Sequence, residues 1–385
     1  MRSRLWKLAA VLAVLLQAGC SPPRGIEALL VVGDIAAGPG ASRLKTTTAP
    51  PVRKTIRYAF EGRLYTADIY WPGGSDTAEA VTVLVPGVVR QGKDDPRLVA
   101  FAHTLARARF LVFVPDLVNL RQLNVSSKDT AVLSRAVRYI ASRAGVGREA
   151  SVGMIAFSYA AGPALLAAMA EETRQSIRFV YAVGPYFSIE TVVTFLTTGH
   201  FRRDADSPWS KSAPSPYAIW VFIHSCAAWL DDPDNRRILT AIADAKLADP
   251  EAKISGLLAQ LGPEGRNVYG LLTNTNPENV HGLIAGLPRR VLSELRALDL
   301  STRDLGDLKA RPILIHGRDD LLIPHTESMA LATALNGDRA RLFIVDSLKH
   351  VEFQFTGVSD IFKLWQAVRT LLAERDRMPR PSWTE

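Results

Sequence analysis

Between residues 54 and 185, short apolar runs alternate with segments of helical periodicity, and this alternation limits the folds open to the chain. The runs AVTVLVPG, FLVFVPDL, ASVGMIAFS and IRFVYAVGP are apolar and rich in β-branched residues, as in strands covered on both faces. Stretches between them, such as TAVLSRAVRYIAS, place apolar residues at helical spacing. The succession predicts an α/β fold with a mostly parallel, doubly wound sheet.

A hairpin precedes this alternation and a long interruption divides it. The runs TIRYAF and RLYTADIYWP flank Glu61-Gly62, a turn in which glycine accepts a positive φ. Strand patterns stop at about residue 185 and resume at RPILIHGRDDLLIP, and the residues between have helical composition. We therefore predict an α/β core in residues 54–185 and 307–375, a helical cap insertion in residues 186–306 and a polar tail in residues 376–385.

The beginning of the chain predicts export. Arg2, Arg4 and Lys7 form a positive stretch before the apolar run LAAVLAVLL, which is too short to span a bilayer as a helix of about 20 residues. The following LLQAGC resembles the lipobox of bacterial lipoproteins, and the resemblance implies a lipid-anchored protein acylated on Cys20. Ser21 then implies the outer membrane, facing the periplasm. A plain signal peptide is the alternative.

The segment boundaries and the cysteine count follow from this interpretation. Residues 1–20 are predicted as a signal peptide and residues 21–53 as a tether or wrapping segment, whose apolar part we expect to pack on the main domain. If Cys20 is acylated, Cys226 has no intramolecular partner. The sequence therefore predicts no disulfide framework.

Charge and motifs exclude several classes of function. The basic residues that give the net charge of +8 are not clustered into a stripe along the sequence. This favours a basic solvated surface over a nucleic-acid partner. The sequence contains neither an HExxH motif nor a glycine-rich phosphate loop. We therefore predict no metal and no cofactor.

Ser158 lies where a strand pattern gives way to a helix pattern. The run Ala156-Phe157-Ser158-Tyr159-Ala160 resembles the small-x-Ser-x-small nucleophile elbow of the α/β-hydrolase family, although alanine stands where the family usually has glycine. Small residues are needed at both positions because the turn brings strand and helix close together. An ordinary helix N-cap is the alternative role for this serine.

Two later motifs match the remaining parts of a catalytic triad. The run IHGRDDLLIP resembles the acid motif that follows a late strand in this family, and its Gly-x-x-Asp register selects Asp320 over Asp319. His350, in DSLKHVEF, follows the last predicted strand, where the family carries its general base. The resemblance therefore implies the triad Ser158, Asp320 and His350.

The same resemblance implies an oxyanion hole and an activity. Its backbone donors would be the N–H groups of Tyr159 and Val88, with Pro86 in place of the family's frequent histidine. Esterase-like and dienelactone-hydrolase-like members are the most similar, which implies a serine hydrolase acting on a small-molecule carboxylic ester. A peptidase, a thioesterase, an acyltransferase and a non-catalytic binding lipoprotein are the alternatives.

Aromatic residues of the predicted insertion have two possible roles. They either line an acyl pocket or form the core of the insertion itself. The residues concerned are Phe187, Trp209, Tyr217, Trp220 and Trp229.

Overall fold

The strands form one large sheet and two small hairpins. A computed structural model describes residues 22–74, 77–147, 149–337, 339–346, 348–349, 352–353 and 357–382. Cys20 and His350 lie outside these described residues. The strands are β1 Val52–Phe60, β2 Arg63–Trp71, β3 Ala80–Val85, β4 Phe110–Pro115, β5 Val152–Phe157, β6 Ile177–Val183, β7 His200–Phe201, β8 Ser210–Lys211, β9 Arg311–Gly317, β10 Arg341–Val345, β11 Leu348–Lys349 and β12 Glu352–Phe353.

The large sheet has eight strands in the order β1-β2-β4-β3-β5-β6-β9-β10. Every pair from β4 to β10 is parallel, whereas β1 and β2 are antiparallel to their neighbours. Glu61 and Gly62 close the β1–β2 hairpin with φ of 49° and 72°. The predicted fold class, a mostly parallel α/β sheet, is confirmed.

Two helices precede the first strand, and helices connect most of the later strands, as the apolar periodicity indicates. They are α1 Pro22–Ala37, α2 Arg43–Thr47, α3 Pro96–Arg107, α4 Val118–Arg121, α5 Lys128–Arg143, α6 Ala161–Met169, α7 Ile189–Thr198, α8 Pro216–Trp229, α9 Pro233–Ala248, α10 Ser255–Leu258, α11 Pro263–Leu272, α12 Val280–Ala285, α13 Arg289–Leu298, α14 Thr326–Ala334 and α15 Val358–Arg375.

Two hydrophobic layers cover the sheet. Alternate residues of β3 point to opposite faces, so that Val83 contributes to the layer under α5 and α6 while Leu84 contributes to the layer under α1, α3 and α15. Both side chains are fully buried. Strands buried on both faces explain why these runs are apolar throughout rather than alternating.

The chain between β6 and β9 forms a separate helical layer. Helices α7 to α13 enclose their own hydrophobic cluster, which includes the fully buried side chains of Ile223, Cys226 and Val268. Burial raises the pKa of the Cys226 thiol, which keeps it protonated and unreactive. Helices α7 to α13 lie within residues 186–306, the range for which the interrupted strand pattern predicts a helical insertion.

The first helix, α1, is part of the folded domain. The indole Nε1 of Trp365 in α15 donates to the carbonyl of Gly25 at 2.8 Å, and the Thr104 hydroxyl of α3 donates to the buried carboxylate of Asp34 at 2.6 Å. Helix α1 therefore packs between α15 and α3. None of the helices within the described ranges is long and apolar enough to cross a membrane.

A buried carboxylate joins the last helix to the sheet. Glu374, 1% exposed, pairs at 2.8 Å with Arg178 of β6 and with Arg311 of β9. We predict that Glu374→Ala lowers the free energy of unfolding by about 3 kcal/mol, because two partly buried guanidinium groups lose their counter-charge. Glu374→Gln keeps an acceptor and should lose less. Denaturant titration of the three proteins measures this, and equal losses would contradict the charge-pairing argument.

Candidate functional site

Ser158 occupies a sharp turn between β5 and α6. Its φ is +56°, in the left-handed region that residues with a side chain rarely adopt. A single turn of 3-10 helix, Ser158–Ala160, follows, and α6 continues from it. Ala156 and Ala160 are fully buried, as the sequence argument for small residues requires. The backbone here has the strand, strained serine and helix of a nucleophile elbow.

Close packing of aromatic side chains stabilises the turn at Ser158. Gly162 lets Tyr186 approach α6, since a Cβ at this glycine would lie 2.1 Å from the tyrosine hydroxyl. Tyr186 stacks on Tyr159 with ring centroids 6.0 Å apart, and its hydroxyl donates to the carbonyl of Leu298 at 2.9 Å. The Tyr159 hydroxyl in turn accepts from the amide of Ser126 at 3.0 Å. The residue after Ser158 is therefore anchored on both sides.

Ser158 opens into a large apolar cavity of about 880 Å³. Val88 and Tyr159, the two predicted oxyanion residues, line the same cavity. The Tyr217 hydroxyl of the insertion donates to the Val88 carbonyl at 3.0 Å, which ties the loop after β3 to α8. A volume in this range suits a small organic ligand.

The insertion, α3 and the end of α1 supply most of the remaining cavity wall. The insertion contributes mostly aliphatic side chains from α7, α8 and α13, and the main domain contributes one face of α3 and the end of α1. The residues include Val192, Val193, Leu196, Val221 and Leu295 on the insertion side, and Ile35, Leu98, Ala100, Phe101 and Thr104 on the side of α1 and α3.

Asp320 lies in the turn after β9, three residues beyond the end of the strand. It is buried, whereas Asp319 is exposed at the cavity wall. One carboxylate oxygen of Asp320 accepts the backbone N–H groups of Leu322 at 2.8 Å and Ile323 at 3.1 Å. Because Leu322 and Ile323 also line the cavity, the acid turn and the serine turn lie at the same edge of the sheet.

The described chain nearest to position 350 packs against the strand that carries Asp320. A Cβ at Gly317, the last residue of β9, would lie 1.9 Å from the carbonyl oxygen of Leu348 in β11. Leu348 is fully buried, and the Arg318 amide donates to the carbonyl of Val345 at 3.0 Å. Glycine at position 317 therefore permits a contact between the acid turn and the segment that leads to His350.

The solved structure of a candidate hydrolase from Legionella pneumophila superposes on the chain with a TM-score of 0.52 at 13% identity, over 87% of this chain and 93% of that one. The chain has the α/β-hydrolase fold. A dienelactone hydrolase from Anabaena variabilis (TM-score 0.40, 14% identity, 83% and 96% covered) and a serine hydrolase from Cycloclasticus zankles (0.41, 12%, 85% and 96%) are also similar. No protein-family model and no curated protein matches the chain.

The aromatic residues of the insertion follow the two predicted roles in part. Tyr217 and Trp229 line the cavity, and Trp229 also belongs to the core of the insertion. Trp220 packs against the core of the insertion, and Phe187 packs against the core of the main domain. Trp209 donates to Glu278 at 2.8 Å and lies under the guanidinium of Arg202, away from the cavity-lining residues.

His316 is a residue of this site that the sequence reasoning missed. It is fully buried, and its Nε2 lies 2.9 Å from the carbonyl of Ile323 and 3.5 Å from the Asp320 carboxylate. A carbonyl only accepts, so Nε2 carries the proton, and Nδ1 then faces the Ser328 hydroxyl at 2.6 Å. The imidazole therefore packs against the acid turn and contacts both Ile323 and Asp320. The only signal was its position at the end of a predicted strand.

Glu327 is a second residue that no sequence motif indicates. It is buried in α14, and its carboxylate accepts the backbone N–H groups of Phe187 at 2.9 Å and Ser188 at 2.8 Å, where the insertion begins. Burial raises the pKa of this carboxyl. Glu327 therefore joins the entrance of the insertion to the helix that follows the acid turn.

No cluster of three or more histidine, cysteine or acidic side chains that could hold a metal ion occurs within the described part of the chain.

A buried carboxyl below Tyr159 makes stability depend on pH. Burial raises the pKa of Asp129 to about 7, against about 3.9 in an unfolded chain, although Asn119 donates to it at 2.9 Å. Between pH 4 and 7 the unfolded state releases this proton before the folded state does, so that folding loses stability as the pH rises.

We predict that Asp129→Asn, which has no proton to lose, raises the melting temperature more at pH 8 than at pH 5. Thermal unfolding at both values measures this, with the exposed Asp319→Asn as control. A gain for Asp129→Asn that is the same at both pH values would contradict the assignment.

Proposed function

We propose that the protein is a serine hydrolase that cleaves a carboxylic ester through Ser158, His350 and Asp320. The observation that carries the proposal is a serine held at positive φ between strand and helix, facing an apolar cavity of about 880 Å³. Backbone strain of this kind is retained where it serves function. An N-cap serine needs no such conformation, because cap residues have extended φ and ψ.

The mechanism follows from the chemistry of these groups. His350 takes the proton of the Ser158 hydroxyl as the oxygen attacks the ester carbonyl, and then gives the proton to the leaving alcohol. Water then attacks the resulting acyl-enzyme. His350 takes a proton from this water and returns it to the Ser158 oxygen as the acid is released. The backbone N–H groups of Tyr159 and Val88 stabilise the oxyanion.

Asp320 orients the imidazole and stabilises its charged form in this mechanism. Its burial, and the two backbone N–H groups that it accepts, support the role, because a fixed carboxylate is needed for a fixed tautomer. Asp319 is exposed, and it lies one residue before the position that the Gly-x-x-Asp motif selects. The triad acid is therefore assigned to Asp320.

The cavity wall favours an acyl group of low polarity over a peptide. On the insertion side the wall is made mostly of aliphatic and aromatic side chains, which bind hydrocarbon and leave backbone amides of a peptide unpaired. The wall near α1 and α3 also contains Asp34, Asp95 and Thr104. We assign the acyl chain to the insertion side and the alcohol to the side of α3.

The site of action belongs to the same proposal. Acylation of Cys20 would anchor the enzyme to the outer membrane facing the periplasm, as the lipobox resemblance implies. Mass spectrometry of the N-terminal peptide of the exported protein tests this.

We predict that a fluorophosphonate labels Ser158 in the folded protein and that Ser158→Ala abolishes both labelling and ester hydrolysis. Asp320→Asn should lower kcat by about 10⁴-fold, because the imidazole loses its correct tautomer. Asp319→Asn is the matched control and should keep nearly full activity. Rates on p-nitrophenyl butyrate measure all three variants.

His350→Ala completes this series. Its kcat should fall as far as that of Ser158→Ala, because the two residues act as a unit. An unlabelled Ser158 in correctly folded protein, or equal effects of the two aspartate substitutions, would overturn the proposal.

Substitutions at two alanines test which side of the cavity binds the acyl chain and which binds the alcohol. Ala218 of α8 and Ala100 of α3 are both half-buried and both line it. We predict that Ala218→Phe shifts the preferred acyl chain to shorter esters, with kcat/KM falling about fourfold for each methylene displaced. Ala100→Phe should leave the acyl preference unchanged and reduce the rate for bulky alcohols. The opposite pattern would reverse the assignment.

A further inference from the structure

We propose that the outer face of α1, together with the first turns of α15, rests on the surface of a lipid bilayer. We call this the α1–α15 face, and it consists of Pro23, Ile26, Leu29, Gly33, Ala36, Val358, Ile361 and Phe362. It lies apart from Ser158 and is not required for the ester chemistry.

The solvent-facing side of α1 is apolar, which is unfavourable for contact with water. The exposed residues of its described length are Pro23, Ile26, Leu29, Gly33 and Ala36, which recur at helical spacing and include no polar side chain. The opposite side is packed on the domain and is also largely apolar. An exposed helix face without polar side chains normally marks an interaction site.

Helix α15 extends this apolar surface. Val358, Ile361 and Phe362 lie at positions i, i+3 and i+4, and are 69%, 38% and 37% exposed. Phe362 stacks on Trp365 at 5.5 Å, and Trp365 contacts Gly25 of α1. The exposed residues of the two helices are therefore connected through one indole ring.

The position of the face along the chain identifies its occupant. Helix α1 begins at Pro22, two residues after Cys20, so that an acyl anchor on that cysteine would hold this end of the helix at the bilayer surface. The helix has 16 residues, about 24 Å, which is less than the roughly 30 Å of a bilayer core. It would therefore lie along the membrane surface.

Contacts with the domain support this orientation. The Arg375 guanidinium pairs with Glu27, and the Asp34 carboxylate binds Thr104, so that α1 is fixed with its packed side inward. Nearby basic groups are already engaged, since Arg24 pairs with Asp376 and Lys363 with Asp346. Binding should then depend on apolar contact and change little with salt.

The test uses the full chain, exported and purified in detergent, and reconstituted into phosphatidylethanolamine vesicles that contain brominated lipid. A bimane label is attached at Leu29→Cys or Phe362→Cys. Leu64→Cys is the control, because Leu64 is 82% exposed on the β1–β2 hairpin. The native Cys226 is fully buried and does not compete for the label.

We expect brominated lipid to quench the labels at positions 29 and 362 at least twofold and to leave the label at position 64 unchanged, at both 50 mM and 500 mM salt. Equal quenching at all three positions, or protein that does not bind the vesicles, would overturn the proposal. So would quenching that follows protein concentration rather than brominated lipid, because a second copy would then cover the face.

The mass of the N-terminal peptide separates this proposal from the one on lipidation. Quenching at positions 29 and 362 in a Cys20→Ser background, which carries neither an acyl chain nor a second label, would still support the α1–α15 face. Acylated protein without such quenching would contradict it.

Discussion

The site depends on one strained residue. Ser158 has a φ that its side chain disfavours, at a cost of order 1–3 kcal/mol, and the surrounding packing must offset that cost. Two buried alanines leave room for the turn, and Gly162 lets Tyr186 pack against the first turn of α6. Tyr159 is then held between Tyr186 and the backbone of Ser126. The serine is consequently fixed where the cavity begins.

The acid turn is organised by a different kind of interaction. Asp320 is buried, and its carboxylate accepts hydrogen bonds from two backbone N–H groups and lies 3.5 Å from the His316 imidazole. Such partners stabilise a carboxylate and fix its position, as the proposed role of Asp320 in orienting the imidazole of His350 requires. Glu327, seven residues later, accepts hydrogen bonds from two backbone N–H groups at the start of the insertion.

Two additions to the sheet shape the cavity from opposite sides. The helical insertion supplies an aliphatic wall and its own core, while α1 reaches the cavity with Ile35 and presents Ile26 and Leu29 to the exterior. The same helix thus connects the proposed membrane face with the cavity that Ser158 lines.

The order of strands and helices in the core can be predicted from the sequence, because burial on both faces of a parallel sheet leaves continuous apolar runs. The small residues on either side of Ser158 likewise indicate a tight turn, because that requirement is local and steric. Other features follow from tertiary contacts alone: Asp320 is buried and Asp319 exposed, His316 contacts the acid turn, Glu327 binds the start of the insertion, and α1 packs between α15 and α3. These contacts join residues distant in sequence, and nothing in the local pattern of either partner encodes the other.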